Sequence, residues 1–264
     1  ITEQVTSHSE FMSKTITRLE LAISDMEPER HVDGHCNRPY PCEFRSYCEH
    51  TDTRYPVGWL PNAAAVVRKL HDKGIYDIRN IPVDVLSSET HIKVRKITIA
   101  GKAELDPAAV DTLNSLGYPR YYLDFEAINL ALPIWKGTRP VQQIPFQWSC
   151  HIQQQDGSVE HSEFLDISGD DPRRKFAEAL ISGCGNTGPV IVYNQTFEKT
   201  VIKTLAAEYS DLSESLLAIN TRVFDLLPVM KKYYYHPEMK GSWSIKNILS
   251  CLLPDLKYSD LGEV

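Results

Sequence analysis

The chain lacks any run of about 18 or more apolar residues, the length that a membrane-spanning helix needs. It lacks a basic N-terminal region leading into an apolar core, so no secretory signal is expected. Internal repeats and low-complexity tracts are also missing, which argues against a solenoid or a linker as its main body. Nor is there an excess of cations: 28 Lys and Arg face 35 Asp and Glu, for a net charge of −7. That balance lends nothing to a basic nucleic-acid patch. Nucleic acid is not thereby excluded, because a site built from carboxylates and metal ions is acidic until loaded. What is present is ordinary for a globular protein: 42% apolar and 24% charged residues. A length of 264 residues allows one large domain or two modest ones.

Six cysteines fall into two groups. Cys150, Cys184 and Cys251 lie in apolar contexts and read as reduced core residues. Cys36, Cys42 and Cys48 are evenly spaced, with five residues between neighbours. Without a secretion signal, a reducing cytoplasm is expected, and the cluster reads as metal ligands rather than disulfides. Thiolates are soft ligands that suit Zn²⁺ or an iron–sulfur cluster. Zinc would take the three thiolates with one of His31, His35 or His50, and three reduced cysteines without a ligand are the alternative.

Periodicity divides the chain. Met12, Ile16, Leu19, Ile23 and Met26 recur at alternating steps of four and three, which predicts a helix over 5–26. Residues 31–56 are rich in His, Cys, Pro and Tyr without a period, and are expected to be a loop in need of a staple. Short helices are expected at 62–73, with Asn62 as N-cap and Gly74 as stop, and at 84–99 and 107–116. Gly117 and Pro119 then break the chain, and the main boundary is placed near 100–118. Strands follow at 121–128, 144–154 and 159–167, the last two joined by the hairpin dipeptide Asp156-Gly157. A helix at 171–182, a buried strand at 189–193 and helices at 196–209, 223–234 and 244–253 complete the reading. Antiparallel strands followed by alternating strand and helix describe an α/β fold: an RNase H-like mixed sheet flanked by helices, preceded by a small, mostly helical Cys-rich region.

Asp124 and Glu126 carry the chemistry. Side chains two apart on a strand point to one face, so both carboxylates project together while Leu123 and Phe125 pack on the other side. Two like charges held side by side are costly unless a cation binds between them, and Mg²⁺ or Mn²⁺ favours such hard oxygen ligands. Downstream, Val190-Ile191-Val192-Tyr193-Asn194-Gln195-Thr196-Phe197-Glu198 is a buried strand leading to Asn-x-x-Phe-acid at a helix start.

Here the chain resembles the DnaQ-like, or DEDD, 3′–5′ exonuclease superfamily. That superfamily has Asp-x-Glu on a strand and then apolar-Asn-x-x-Phe-Asp opening a helix; Glu198 stands where it usually has Asp. The segment Val223-Phe224-Asp225-Leu226 resembles its following strand-to-helix passage, and Gly241-Ser242-Trp243-Ser244-Ile245-Lys246 the next helix start. For Asp225 the residues alone suggest a helix N-cap. The closing motif of the superfamily, a Tyr or His followed four or five residues later by Asp, has no counterpart; Tyr258-Ser259-Asp260 lacks the spacing. In combination with Gln143-Ile144-Pro145-Phe146-Gln147, these motifs look like an uncharacterised bacterial family, domain of unknown function 2779. The Cys36–Cys48 spacing looks like the end of a RecB-type nuclease domain, whose [4Fe–4S] cluster takes a fourth cysteine from far upstream.

The resemblance implies three regions: 1–56, a helix and the Cys-cluster remnant of a RecB-like domain; 57–117, a helical linker; and 118–264, an RNase H-like exonuclease domain. The chain opens on Ile1 and is expected to be a fragment of a longer protein, cut at both ends. The implied activity is metal-dependent hydrolysis of DNA or RNA phosphodiesters at single-stranded ends. Two ions about 4 Å apart would clamp the scissile phosphate, one activating water and one stabilising the leaving oxygen. Asp124, Glu126, Asn194, Glu198 and Asp225 would form that site, with Asp124, Glu126 and Glu198 on Mg²⁺ or Mn²⁺. Cys36, Cys42 and Cys48 would hold the [4Fe–4S] cluster or Zn²⁺. Tyr121, Trp135, Phe146, Trp148 and Tyr193 are either base-stacking aromatics or core, and Gln143 and Gln147 are expected to face together. The alternative is a non-catalytic RNase H-like module that binds nucleic acid or protein.

Overall fold

A computed structural model of the chain describes residues 2–24, 36, 40–48 and 53–255. Two compact units emerge, 1–95 and 96–264.

In the first unit, α1 (Thr2–Ser24) carries the expected period, and Met12, Ile16, Leu19 and Ile23 along it are exposed; Met26 lies outside the described residues. After the short α2 (Arg45–Cys48) comes α3 (Ala64–His71). Asn62 is not its cap: it adopts a left-handed backbone, φ 53°, and Ala63 takes the N-cap position. Gly74, at φ 71°, does end the helix region. Tyr55, Val57, Leu60, Leu70, Ile78 and Ile81 are buried in this unit. The expected helix at 84–99 is present as α4 (Glu89–Ala100), starting later than expected and preceded by a 3-10 turn, Val83–Val85.

The first elements lying wholly in the second unit are β1 (Glu104–Leu105) and α5 (Ala108–Asn114). Its main sheet is built from β2 (Arg120–Asn129), β3 (Gln143–Gln153), β4 (Val159–Leu165), β5 (Val190–Val192) and β6 (Val223–Asp225). The spatial order is β4-β3-β2-β5-β6. The first three strands pair antiparallel, and β5 and β6 add parallel to β2. Two consecutive hairpin strands need only tight turns, whereas a parallel neighbour needs a crossover; here α6 (Arg173–Gly183), then α7 (Thr196–Glu208) with α8 (Ser213–Thr221), supply those crossovers. The remaining elements are α9 (Leu226–Tyr233), β7 (Tyr234–Tyr235), paired antiparallel with β1, and α10 (Ile245–Leu252). The fold is mixed α/β, a five-stranded mixed sheet flanked by helices.

Residues 223–225 correct the periodicity reading of a helix from 223: they form an edge strand, and the helix starts only after Asp225. In β2, Tyr121, Leu123 and Phe125 are buried while Tyr122, Asp124 and Glu126 are exposed, the period-two alternation of a half-buried strand. The buried side packs with Trp148, Cys150, Phe176, Leu180, Ile202 and Leu216 in one core. Each large apolar side chain so buried contributes about 1.5–3 kcal/mol. Trp148 and Tyr121 belong to this core, so neither is available to stack a base.

The sheet carries one irregularity where it matters. Between the pairs Glu126↔Gln147 and Asn129↔Gln143, β2 advances three residues and β3 four. Pro145, which has no N–H, lies beside this β-bulge and beyond the β4 pairing, which begins at Gln147, so β3 has only β2 as a neighbour there. The bulge also changes parity, so Gln143 and Gln147 do not face together as regular strand spacing predicts.

Candidate functional site

β2, β5 and β6 run parallel, so their C-terminal ends share one end of the sheet. Open α/β sheets place ligands outside those ends, where the strand order reverses. Asp124 and Glu126 lie at the middle of β2, Asn194 follows β5, Glu198 stands in the first turn of α7, and Asp225 is the last residue of β6. Sequence-distant acids are thus delivered to one place by topology.

Glu198 is the strained member. Its side chain is buried, with 4% exposed, and its Oε2 has no hydrogen-bond partner. Burial pushes its carboxyl up to about 7, and the negative charges of Asp124 and Asp225 push the same way; a backbone hydrogen bond at its own position opposes them. Desolvation disfavours the charged form, and a nearby like charge does so again.

Asp225 has a structural task. Oδ1 accepts from the backbone N–H of Leu227 at 2.9 Å, capping α9, and from that of Asn194 at 2.8 Å. Oδ2 accepts from the N–H of Gln195 at 3.2 Å. One carboxylate therefore ties the start of α9 to the turn after β5. Asn194 adopts φ 68° in that turn, a left-handed conformation that Asn tolerates better than most residues. Its Oδ1 accepts from the Thr196 hydroxyl at 3.3 Å. Tyr193, half-buried, donates its hydroxyl to the Trp243 carbonyl, and Trp135 donates its indole N–H to Gly169 O at 3.1 Å.

On the same exposed face as Asp124, His151 and His161 lie directly opposite across β3 and β4, with rings stacked at 4.6 Å. Ser149 Oγ is 2.9 Å from His161 Nε2. The turn is centred on Asp156, with Gln154 N–H donating to Ser158 O at 2.9 Å, so His151 and His161, five residues to either side, pair. Gly157 takes φ 87°, as that turn requires.

Carboxylate oxygens are the donor set that Mg²⁺ or Mn²⁺ takes, and an orphaned, charge-stressed Glu198 is what a cation would relieve. Among the described residues, however, no three His, Cys, Asp or Glu side chains stand close enough together to hold a metal ion as they are. The fit is one of donor chemistry, without a preformed cage. The Cys cluster belongs to the first unit. Cys36 is buried, Cys42 exposed and Cys48 intermediate; all six cysteines of the chain are free. Cys42 N–H donates to Cys36 O at 2.8 Å, closing the first loop of the cluster. His31, His35 and His50 lie outside the described residues.

A cleft of about 520 Å³ opens between the β2–β3 hairpin and α7. Sequence patterns did not reveal it, since its lining comes from three separated segments. Among the described residues no helix is long and apolar enough to cross a membrane.

These features define a mixed α/β unit with a carboxylate cluster at its parallel strand ends. Residues 121–244 match the family described as Domain of unknown function (DUF2779), in line with the resemblance drawn from the motifs. No curated protein and no solved structure matches the chain.

Proposed function

We propose that the 96–264 unit is a metal-dependent nuclease of the 3′–5′ exonuclease type, of RNase H-like architecture, acting on single-stranded ends of DNA or RNA. The observation that carries this reading is Glu198: a buried carboxyl with an unbonded Oε2, pushed up to about 7 by burial and by Asp124 and Asp225. A cluster so stressed favours a cation. Three antiparallel strands followed by two parallel ones also support the RNase H-like part of the reading.

In this reading Asp124, Glu126 and Glu198 hold Mg²⁺ or Mn²⁺, which when bound neutralises charge on the phosphoryl oxygens. The chain does the rest. Asp124 and Glu126 are aimed by a strand whose opposite face is locked in the core. Glu198 would keep its proton in the metal-free site and, as a ligand, would give it up to water. Asp225 is a positioning residue that sets the Asn194 turn. Cys36, Cys42 and Cys48 hold Zn²⁺ or a [4Fe–4S] cluster as a staple of the first unit. A cytoplasmic setting suits such thiolates.

The test is Mn²⁺-dependent degradation of end-labelled single strands by the native chain and by Asp124→Asn. A loss of at least about a hundredfold is expected for removal of a metal ligand, since even groups behind the ligands cost 10–100-fold. Equal degradation by both sinks the reading. A second reading, a non-catalytic module that binds nucleic acid or protein, is favoured by the lack of a preformed three-ligand cluster among the described residues. Strand binding with no degradation by the native chain would select it.

A further inference from the structure

The lining of the cleft between the β2–β3 hairpin and α7 is free of carboxylates. It includes Arg139, Asn129, Gln143, Thr200 and Thr204. In a chain of net charge −7, an acid-free recess with a cation in its wall is a local reversal of sign. Three of these side chains are unspent. The Arg139 guanidinium and the Asn129 and Gln143 amides have no hydrogen bond or ion pair among the described residues; of Arg139, only the backbone is used.

The turn that presents Arg139 is held by its backbone N–H on Gln142 Oε1 at 2.9 Å, and by Val141 N–H on Leu130 O at 2.8 Å. Val141 adopts φ 58° there with its side chain exposed. A β-branched residue in that region costs about 1–3 kcal/mol and persists only where its surroundings impose it. Thr200 and Thr204 donate their hydroxyls to backbone carbonyls one turn back, at 2.6 and 2.9 Å. Their oxygens keep acceptor capacity toward the cleft. Lys199 and Lys203 each precede a lining threonine on α7.

Both elements that build the cleft also carry members of the acidic cluster. Asn129 is three residues beyond Glu126 on β2, and Val201, which also lines the cleft, is three beyond Glu198 on α7. These steps span about 10 Å of strand and about 4.5 Å of helix.

We propose that this cleft is a subsite for one nucleotide unit of a single strand, with the Arg139 guanidinium pairing its phosphate. The assignment rests on the nuclease reading of the acidic cluster and names the part of the substrate held beside it. A guanidinium matches phosphate oxygens two at a time. Free amides are the side chains that read base edges. The volume fits a ligand of nucleotide size and exceeds what an inorganic anion needs.

The experiment is fluorescence anisotropy of a labelled ten-nucleotide single strand in EDTA, with the native chain, Arg139→Glu and Arg139→Lys, across a salt series. Arg139→Glu should bind at least about tenfold more weakly. Its plot of log affinity against log salt should flatten by about 0.7, one phosphate contact fewer on a single strand. Arg139→Lys keeps the charge and should fall between the two. Equal binding and equal slopes for native chain and Arg139→Glu overturn the proposal, as does equal displacement of the strand by an acidic peptide of the same length. Because no divalent ion is present, the outcome is independent of hydrolysis. If Asp124→Asn degrades strands as well as the native chain, the nuclease reading falls while an Arg139-dependent binding result stands.

Discussion

Replacing Glu198 by Gln removes a titration while keeping the shape. In the native protein burial, with Asp124 and Asp225 behind it, moves the Glu198 carboxyl from 4.5 to about 7. That displacement corresponds to about 3 kcal/mol of native-state preference for the protonated form. The folded state then holds a proton that the unfolded chain has already lost, so stability falls as pH rises. The contribution is complete below about 4.5, declines through the interval up to 7, and is gone above it. Urea unfolding in EDTA at a series of pH values, followed through tryptophan fluorescence, measures it, because Trp148 is in the core of the same unit. The native chain should lose up to about 3 kcal/mol across the interval that Glu198→Gln does not lose. The slope is the criterion, since a buried Gln amide brings an unsatisfied polar group and offsets the absolute value. Mn²⁺ at pH 8 should stabilise the native chain more than the variant. Parallel pH profiles for the two proteins would refute the assignment of Glu198 as the charge-stressed member of the cluster.

Two further outcomes test the frame around the site. Gly188→Ala should cost about 2–4 kcal/mol in urea unfolding, because the residue takes φ 84° and an added Cβ would lie 2.0 Å from the Pro119 carbonyl oxygen. Asp225→Ala removes three backbone hydrogen bonds and should cost about 2–4 kcal/mol; amide exchange at Asn194, Gln195 and Leu227 should accelerate together.

How far the sequence could be read depended on the length scale of each signal. The alternation of buried Tyr121, Leu123 and Phe125 with exposed Tyr122, Asp124 and Glu126 is local, and it was legible. So was the Asp156-Gly157 hairpin. β6 was not, because three residues abutting a helix carry too little pattern to be told from its first turn. α8 went unseen because it is short: its buried Leu216, Ile219 and Asn220 fit a helical spacing but span a single turn and include a polar residue. The placement of Asp124, Glu198 and Asp225 at one end of the sheet needed the parallel pairing of β2, β5 and β6. For Asp225 the N-cap was readable from residue type; its two bonds to the Asn194 turn span about thirty residues and were not. The cleft was the least legible feature, since Asn129, Arg139 and Thr200 share no motif.

The bulge between Glu126 and Asn129 acts on the sheet as a phase shift acts on a wave. Upstream of it, even-numbered residues of β2 from Tyr122 to Glu126 belong to the acidic face; across it, β3 re-enters one step out of phase. Sliding β3 past β2 by one residue would drive Pro145 into a position that demands an N–H it does not have. Pro145 is therefore a stop against slippage. The acidic face and the recess beside the hairpin are two sides of one register, and a deletion at Phe146 would invert one of them while leaving the hydrophobic count of the chain almost unchanged.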